Sequence, residues 1–112
     1  MFKKELKNSA EIVEFIIEFA TDYIDEDMIL EYFFDYKAVL KRVPTNSIKP
    51  GNLASNARSK KKEKEYKKLP IETMPPVMVE NKVVLDGNHR LRIAKTKQRR
   101  NIYIYDLLSV NK

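Results

Sequence analysis

The hydrophobic positions near the N-terminus recur at helical spacing. Asn8 and Glu11 precede them and resemble a capping box in which asparagine replaces serine or threonine. The apolar stripe consists of Ile12, Phe15, Ile16, Phe19 and Tyr23. A second helix is predicted after Asp25–Asp27, and its adjoining apolar rows are Ile29, Phe33, Tyr36 and Leu30, Phe34. We interpret this aromatic face as core; the alternative is a partner-binding surface, because apolar patches this large are uncommon on monomers.

After residue 37 the pattern changes to short runs of β-branched and alternating residues. A loop rich in turn formers follows the first run at residues 45–51. The predicted strands are Ala38–Val43, Val77–Glu80, Lys82–Leu85 and Asn101–Tyr105. A helix is predicted from Asn88 to about Lys97. The sequence thus predicts an α+β fold in which an acidic helical extension, residues 1–36, precedes a domain of residues 37–112.

Charge divides the chain into an acidic third and a basic remainder. Residues 1–40 contain 4 Lys and 10 Asp or Glu, a balance of −6, whereas residues 41–112 contain 18 Lys or Arg and 6 Asp or Glu, a balance of +12; the net charge is +6. A basic surface attracts polyanions such as nucleic acid, nucleotide phosphates or an acidic protein. The simpler interpretation is that the two parts attract each other and maintain solubility.

The lack of cysteine excludes disulfides, thiol nucleophiles and thiolate metal sites. A single histidine, His89, argues against a histidine-based zinc site. The N-terminal residues lack the apolar core of a signal peptide, and no apolar run approaches the roughly 20 residues that span a bilayer. We therefore expect a cytoplasmic protein in a reducing compartment, without membrane association.

The stretch DGNHR, residues 86–90, joins a predicted strand to a predicted helix. The first backbone N–H groups of a helix have no partner within it and, with the helix dipole, favour an anion. The candidate phosphate-binding residues are Gly87, Asn88, His89, Arg90 and Arg92. The chemistry of Asp86 suits Mg²⁺ binding or proton abstraction, and that of His89 suits proton relay. The alternative is an ordinary strand–turn–helix junction with Asp86 as a cap.

Three pieces of the sequence resemble the ParB/sulfiredoxin superfamily, chiefly its ParB-like domain. Residues 42–50, RVPTNSIKP, resemble the opening strand and turn, and residues 76–80, PVMVE, resemble a later strand. Residues 84–95, VLDGNHRLRIAK, resemble the signature of the superfamily. The resemblance implies a small mixed sheet with helices and a signature turn that binds the phosphates of a nucleotide. The acidic helices have no counterpart in it.

The signature differs from those of the two best-understood branches. Sulfiredoxins have a cysteine where this chain has Asn88, so reduction of sulfinic acids is excluded. Partition proteins, which bind and hydrolyse CTP, have Glu in place of Asn88 and Arg in place of His89, and they share Arg90. The DGNHR form is more similar to ParB-like nucleases or small-molecule kinases. The resemblance implies phosphate binding by residues 87–90, with Asp86 as base or metal ligand.

Three functions remain open from the sequence. The first is binding of ATP, ADP or CTP, with Mg²⁺-dependent phosphoryl transfer or nucleotide hydrolysis. The second is sequence-nonspecific binding or cleavage of DNA, through Lys60, Lys61, Lys62, Lys64, Lys67, Lys68, Arg99 and Arg100. The third is a non-enzymatic adaptor, or a phage- or plasmid-type inhibitor, whose acidic N-terminal helices bind a protein partner.

Overall fold

The computed structural model describes residues 2–19, 26–51 and 74–110. Their elements are β1 (Glu5–Leu6), α1 (Ser9–Phe19), α2 (Glu26–Tyr32), β2 (Tyr36–Pro44), a 3₁₀ turn (Thr45–Ser47), β3 (Val77–Glu80), β4 (Val83–Asp86), α3 (Asn88–Thr96) and β5 (Asn101–Ser109). This arrangement of one mixed sheet and three helices confirms the predicted α+β class. None of the helices in these ranges is long and apolar enough to cross a bilayer.

The sheet is built around β5. The strand order is β1-β2-β5-β3-β4, and β2 and β5 pair antiparallel along their full nine residues, from Tyr36 opposite Ser109 to Pro44 opposite Asn101. On its other side β5 pairs in parallel with β3, which forms the predicted hairpin with β4. The sheet is therefore mixed, as the sequence resemblance implies.

Each face of the sheet carries its own core cluster, since successive side chains of a strand point to opposite faces. Ile102 and Ile104 of β5 belong to a core cluster with α3, together with Ile48, Met74, Val77, Val79, Val84, Leu91, Ile93 and Ala94. Tyr105 and Leu107 belong to a second cluster with α1, together with Leu6, Ile12, Phe15, Ile16, Phe33, Ala38 and Met78. Helices α3 and α1 thus cover opposite faces of the sheet.

The N-terminal residues complete one of these faces. The Asn8 side chain caps α1 by accepting a 3.0 Å hydrogen bond from the Glu11 N–H, and the Glu11 carboxylate accepts one from the Lys7 N–H, close to the predicted capping box. Strand β1, which the sequence pattern does not predict, pairs with β2 through Glu5 and Leu6. Residues of the predicted extension therefore share a core with the sheet, whereas the division of the chain at residue 36 stays a prediction.

The aromatic face predicted for the second helix is divided between core and solvent. Helix α2 ends at Tyr32 and contains no buried residue. Phe33, in the turn that follows, is buried, whereas the Tyr32 and Phe34 side chains are 62% and 74% exposed. Tyr36 already belongs to β2. The interpretation of this face as core is correct for Phe33 and wrong for Phe34. Because α2 ends at Tyr32, Phe34 does not continue an apolar row of the helix.

The buried Tyr105 hydroxyl lowers the free energy of unfolding at alkaline pH. Burial raises the pKa of Tyr105 above the usual 10.0, because a phenolate loses hydration in the core. The unfolded chain therefore ionises first, and the free energy of unfolding falls as the pH rises beyond about 10. We expect Tyr105→Phe to lose less stability than the wild type between about pH 9 and pH 11.

At neutral pH, Tyr105→Phe is expected to be less stable by about 1 kcal/mol, because the 2.7 Å hydrogen bond from its hydroxyl to the Lys3 carbonyl is lost. Urea unfolding at both pH values measures the two differences. The pKa of Tyr36, raised mainly by its hydrogen bond to Glu80, affects both proteins equally. If the free energy of unfolding falls equally in the two proteins at alkaline pH, the prediction is contradicted.

Candidate functional site

The turn between β4 and α3 requires a glycine. Gly87 lies in the left-handed region with φ 109° and ψ 24°, and Asn88 begins the helix directly after it. This conformation is costly for residues with a Cβ atom. A Cβ atom at Gly87 would also lie 2.7 Å from Nη2 of Arg90. The glycine therefore permits both the sharp entry into α3 and the close approach of the Arg90 guanidinium.

Arg90 and Asp86 form a buried ion pair across this turn. Nη2 of Arg90 lies 2.9 Å from Oδ2 of Asp86, and the two side chains are 0% and 7% exposed. In the sequence-based hypothesis, Arg90 binds phosphate and Asp86 acts as base or Mg²⁺ ligand. The structure joins the two to each other instead, so either role would require this pair to open or to share its partners. The proposed roles of both residues stay predictions.

His89 is also enclosed by protein. Its side chain is 0% exposed, and Nη2 of Arg92 lies 2.8 Å from its Nδ1 atom. A guanidinium only donates hydrogen bonds, so Nδ1 is the acceptor and a neutral ring carries its proton on Nε2. The structure thus brings His89 and Arg92 together, with the arginine on the exposed side of the helix. Proton relay by His89 stays a prediction.

Asn88 links the helix to the loop that follows the 3₁₀ turn. Its Oδ1 atom accepts a 2.9 Å hydrogen bond from the Gly51 N–H, and its Nδ2 atom donates one of 3.4 Å to the Gly51 carbonyl. A Cβ atom at Gly51 would lie 2.1 Å from the Val84 carbonyl oxygen, so a side chain does not fit there. The sequence pattern predicts Asn88 as a phosphate-binding residue, but it does not predict a role for Gly51. The sequence signals at Gly51 are its place in a predicted loop rich in turn formers and its being one of 2 glycines in the chain.

A groove of about 250 Å³ lies beside this link, and its walls are mostly apolar. It is lined by Pro50, Gly51, Asn88, Leu91, Arg92, Lys95 and Thr96. The basic side chains Arg92 and Lys95 project from neighbouring turns of α3, because residues three apart lie on one side of a helix. An apolar slot with two cations beside a helix start suits a ligand that combines a flat apolar part with negative charge.

Two of the basic residues proposed to contact nucleic acid, Arg99 and Arg100, fall within the described ranges, and neither lines this groove. Arg99 and Arg100 are exposed in the connection between α3 and β5, where their backbone atoms bond to Ala94 and Thr45. The lysine-rich set, Lys60, Lys61, Lys62, Lys64, Lys67 and Lys68, lies outside the described residues. The described ranges also contain no group of three or more His, Asp or Glu side chains placed to hold a metal ion.

We predict that the buried ion pair has a large effect on stability. Asp86→Asn leaves the Arg90 charge in the core, and removal of one partner of such a pair costs about 3–5 kcal/mol. Asp106→Asn is the matched control, because Asp106 forms a 2.8 Å ion pair with the partly exposed Lys41. Its expected cost is under about 1 kcal/mol. Chemical denaturation of both variants measures the difference, and equal costs would show that the Asp86 pair is not desolvated.

Comparison with known proteins bears on the fold. No protein-family model matches the sequence, and no curated protein matches it. Among solved structures, the C2221 form of a Pnob8-like ParB-N domain matches with a TM-score of 0.54 and 20% sequence identity. The match covers 67% of this chain and 32% of that chain, so the present chain spans about a third of its length. At this identity the likeness concerns the fold alone. The chain therefore has a ParB-like fold, as the sequence resemblance implies.

Proposed function

We propose that the chain is a ParB-like nucleotide-binding domain whose ligand occupies the groove between the Pro50–Gly51 loop and α3. The observation that carries the proposal is the combination, in one groove, of apolar walls with the cations Arg92 and Lys95. The base and sugar would lie against the walls, and the phosphates would contact the basic side chains and the start of the helix. The volume of about 250 Å³ suits a ligand that is partly enclosed.

The dimensions of α3 also favour a nucleotide over a single inorganic ion. From Asn88 to Lys95 the helix rises about 10 Å, at about 1.5 Å per residue. That span is longer than a single inorganic anion, so a chain of phosphates would reach the helix start as well as both basic side chains. Arg92, placed between these residues, presents a planar guanidinium suited to two-point contact with phosphate. The hydrogen bonds between Asn88 and Gly51 hold the opposite wall in position.

The geometry supports binding more strongly than turnover. Both candidate catalytic side chains, Asp86 and His89, are buried, and Asp86 is paired with Arg90. Mg²⁺-dependent phosphoryl transfer or nucleotide hydrolysis therefore stays a prediction from the resemblance. DNA binding also stays a prediction, since the lysine-rich segment lies outside the described residues. Binding of a protein partner by the acidic N-terminal helices stays a prediction as well. We propose ATP, ADP or CTP as the ligand, with the phosphate groups providing most of the affinity.

Calorimetric titration of the full chain with ATP, ADP and CTP tests this proposal. We expect at least one of them to bind, and Arg92→Ala to weaken its affinity about tenfold or more, because hydrogen bonds between charged groups contribute about 1.5–3 kcal/mol. Lys95→Ala is expected to weaken the affinity about fivefold, because an ammonium makes a less directional contact with phosphate than a guanidinium does. Lys7→Ala is the matched control, since it removes an exposed cation from the N-terminal segment.

Each variant is first compared with the wild type by thermal melting, because Arg92 also contacts His89. Absence of heat with all three nucleotides would refute the proposal. So would affinities that change equally in Lys95→Ala and Lys7→Ala, since they would indicate a general charge effect. A DNA duplex serves as the competing ligand: binding that weakens steeply with salt and is unaffected by Lys95→Ala would favour the nucleic-acid function instead.

A further inference from the structure

A second cleft, of about 340 Å³, lies on the other face of the sheet, between the N-terminal segment and α1. Its floor is aromatic and includes Phe2, Phe15, Phe19 and Tyr105. The Phe2 ring lies 5.6 Å from that of Phe19 and 6.2 Å from that of Phe15, and Phe15 packs edge-to-face on Tyr105 at 4.8 Å. Aromatic rings in such a group attract cations electrostatically as well as apolar chains.

The rim of the cleft is acidic. Glu11, Glu14 and Glu18 line it, and their spacing places them on successive turns along one side of α1. Glu11 is engaged by the Lys7 N–H and by the Lys3 ammonium, 3.5 Å away. Within the described ranges, no cation lies within 4.0 Å of Glu14 or Glu18. These two carboxylates are therefore available to a charged group that enters from solvent.

Among the described residues, one cation lines this cleft. The Lys3 side chain lines the cleft but stays 68% exposed, and its ammonium reaches only Glu11. The lining residues that the structure describes include three carboxylates and one ammonium, which give a formal charge of −2. An acidic rim above an aromatic floor is poorly suited to a hydrated metal ion, and no described group of acidic residues is placed to hold one. It is well suited to an organic cation with an apolar stem.

We propose that this cleft binds an organic cation, with a guanidinium or ammonium group at Glu14 and Glu18 and an apolar stem against the Phe2 side of the floor. A guanidinium is favoured, because it is flat, less strongly hydrated than an ammonium, and stacks on aromatic rings. The cleft and the proposed nucleotide groove lie on opposite faces of the sheet, so the two binding events are separable.

A pair of capped amino acids tests the inference on the full chain. N-acetyl-arginine methylamide carries the proposed cation, and the citrulline analogue has nearly the same shape without the charge. We expect the arginine analogue to bind about tenfold more tightly, measured by titration calorimetry at low salt. Glu14→Gln combined with Glu18→Gln is expected to remove most of that difference. The matched control is Glu26→Gln combined with Glu31→Gln, which makes the same charge change on α2.

Two further variants separate a binding site from a general acidic surface. Phe2→Leu keeps the apolar floor but removes a ring, and we expect it to weaken binding about threefold. Lys3→Gln removes the competing internal cation and is expected to strengthen binding about twofold. Equal affinity for the two analogues, or weaker binding in Lys3→Gln, would overturn the proposal.

The source of the cation follows from a third probe, a glycine-rich peptide with blocked termini whose sole charge is one central arginine. A peptide that binds no more tightly than the capped amino acid indicates a free small cation as ligand. A peptide that binds about tenfold more tightly indicates a basic segment of a protein. Both results support the cation site, whereas a peptide that binds equally well with citrulline in place of arginine refutes it.

Discussion

The side chains of β5 alternate between two apolar sets, and both sets need cover from water. Ile102 and Ile104 pack under α3, whereas Tyr105 and Leu107 pack under α1. A strand buried on both faces requires a layer of structure on each side, which is the general reason for three-layer folds. The N-terminal segment therefore contributes side chains to the core. The same constraint produces two separate surfaces, a groove beside α3 and a cleft beside α1, with the sheet between them.

The turn at Gly87 joins the fold to the candidate site. Because Gly87 lacks a Cβ atom, the Arg90 guanidinium lies against the turn and reaches Asp86. Two desolvated charges are stable only as a pair, so each fixes the position of the other. The pair thereby links the end of β4 to the start of α3, which favours a rigid helix start. A rigid helix start reduces the entropy that ordering a ligand site would otherwise cost.

The sequence predicts the parts of this structure whose signals are local. The hairpin at residues 77–86 and the helix after Gly87 follow from β-branched runs, turn residues and helical spacing. Strand β1 was not predicted because two residues are too few for a periodic pattern, and β5 extends to Ser109, beyond its predicted end. Burial of His89 and Arg90 was not predictable either, since polar side chains indicate exposure unless their partners are known. The groove depends on Gly51, which is distant in sequence from Asn88 and is brought to it only by folding.

The ion pairs between described residues form within the acidic third or within the basic remainder, and not between the two. The ion pair of Lys3 with Glu11 joins two residues of the acidic third, and those of Lys41 with Asp106 and of Asp86 with Arg90 join residues of the basic remainder. Pairs within one part leave the charge imbalance of that part unchanged. Among the described residues, the acidic rim of the cleft and the basic side chains Arg92 and Lys95 of α3 lie on opposite faces of the sheet. Since screening at physiological salt acts over about 8 Å, each of the two proposed sites would attract its ligand with little interference from the charges of the other.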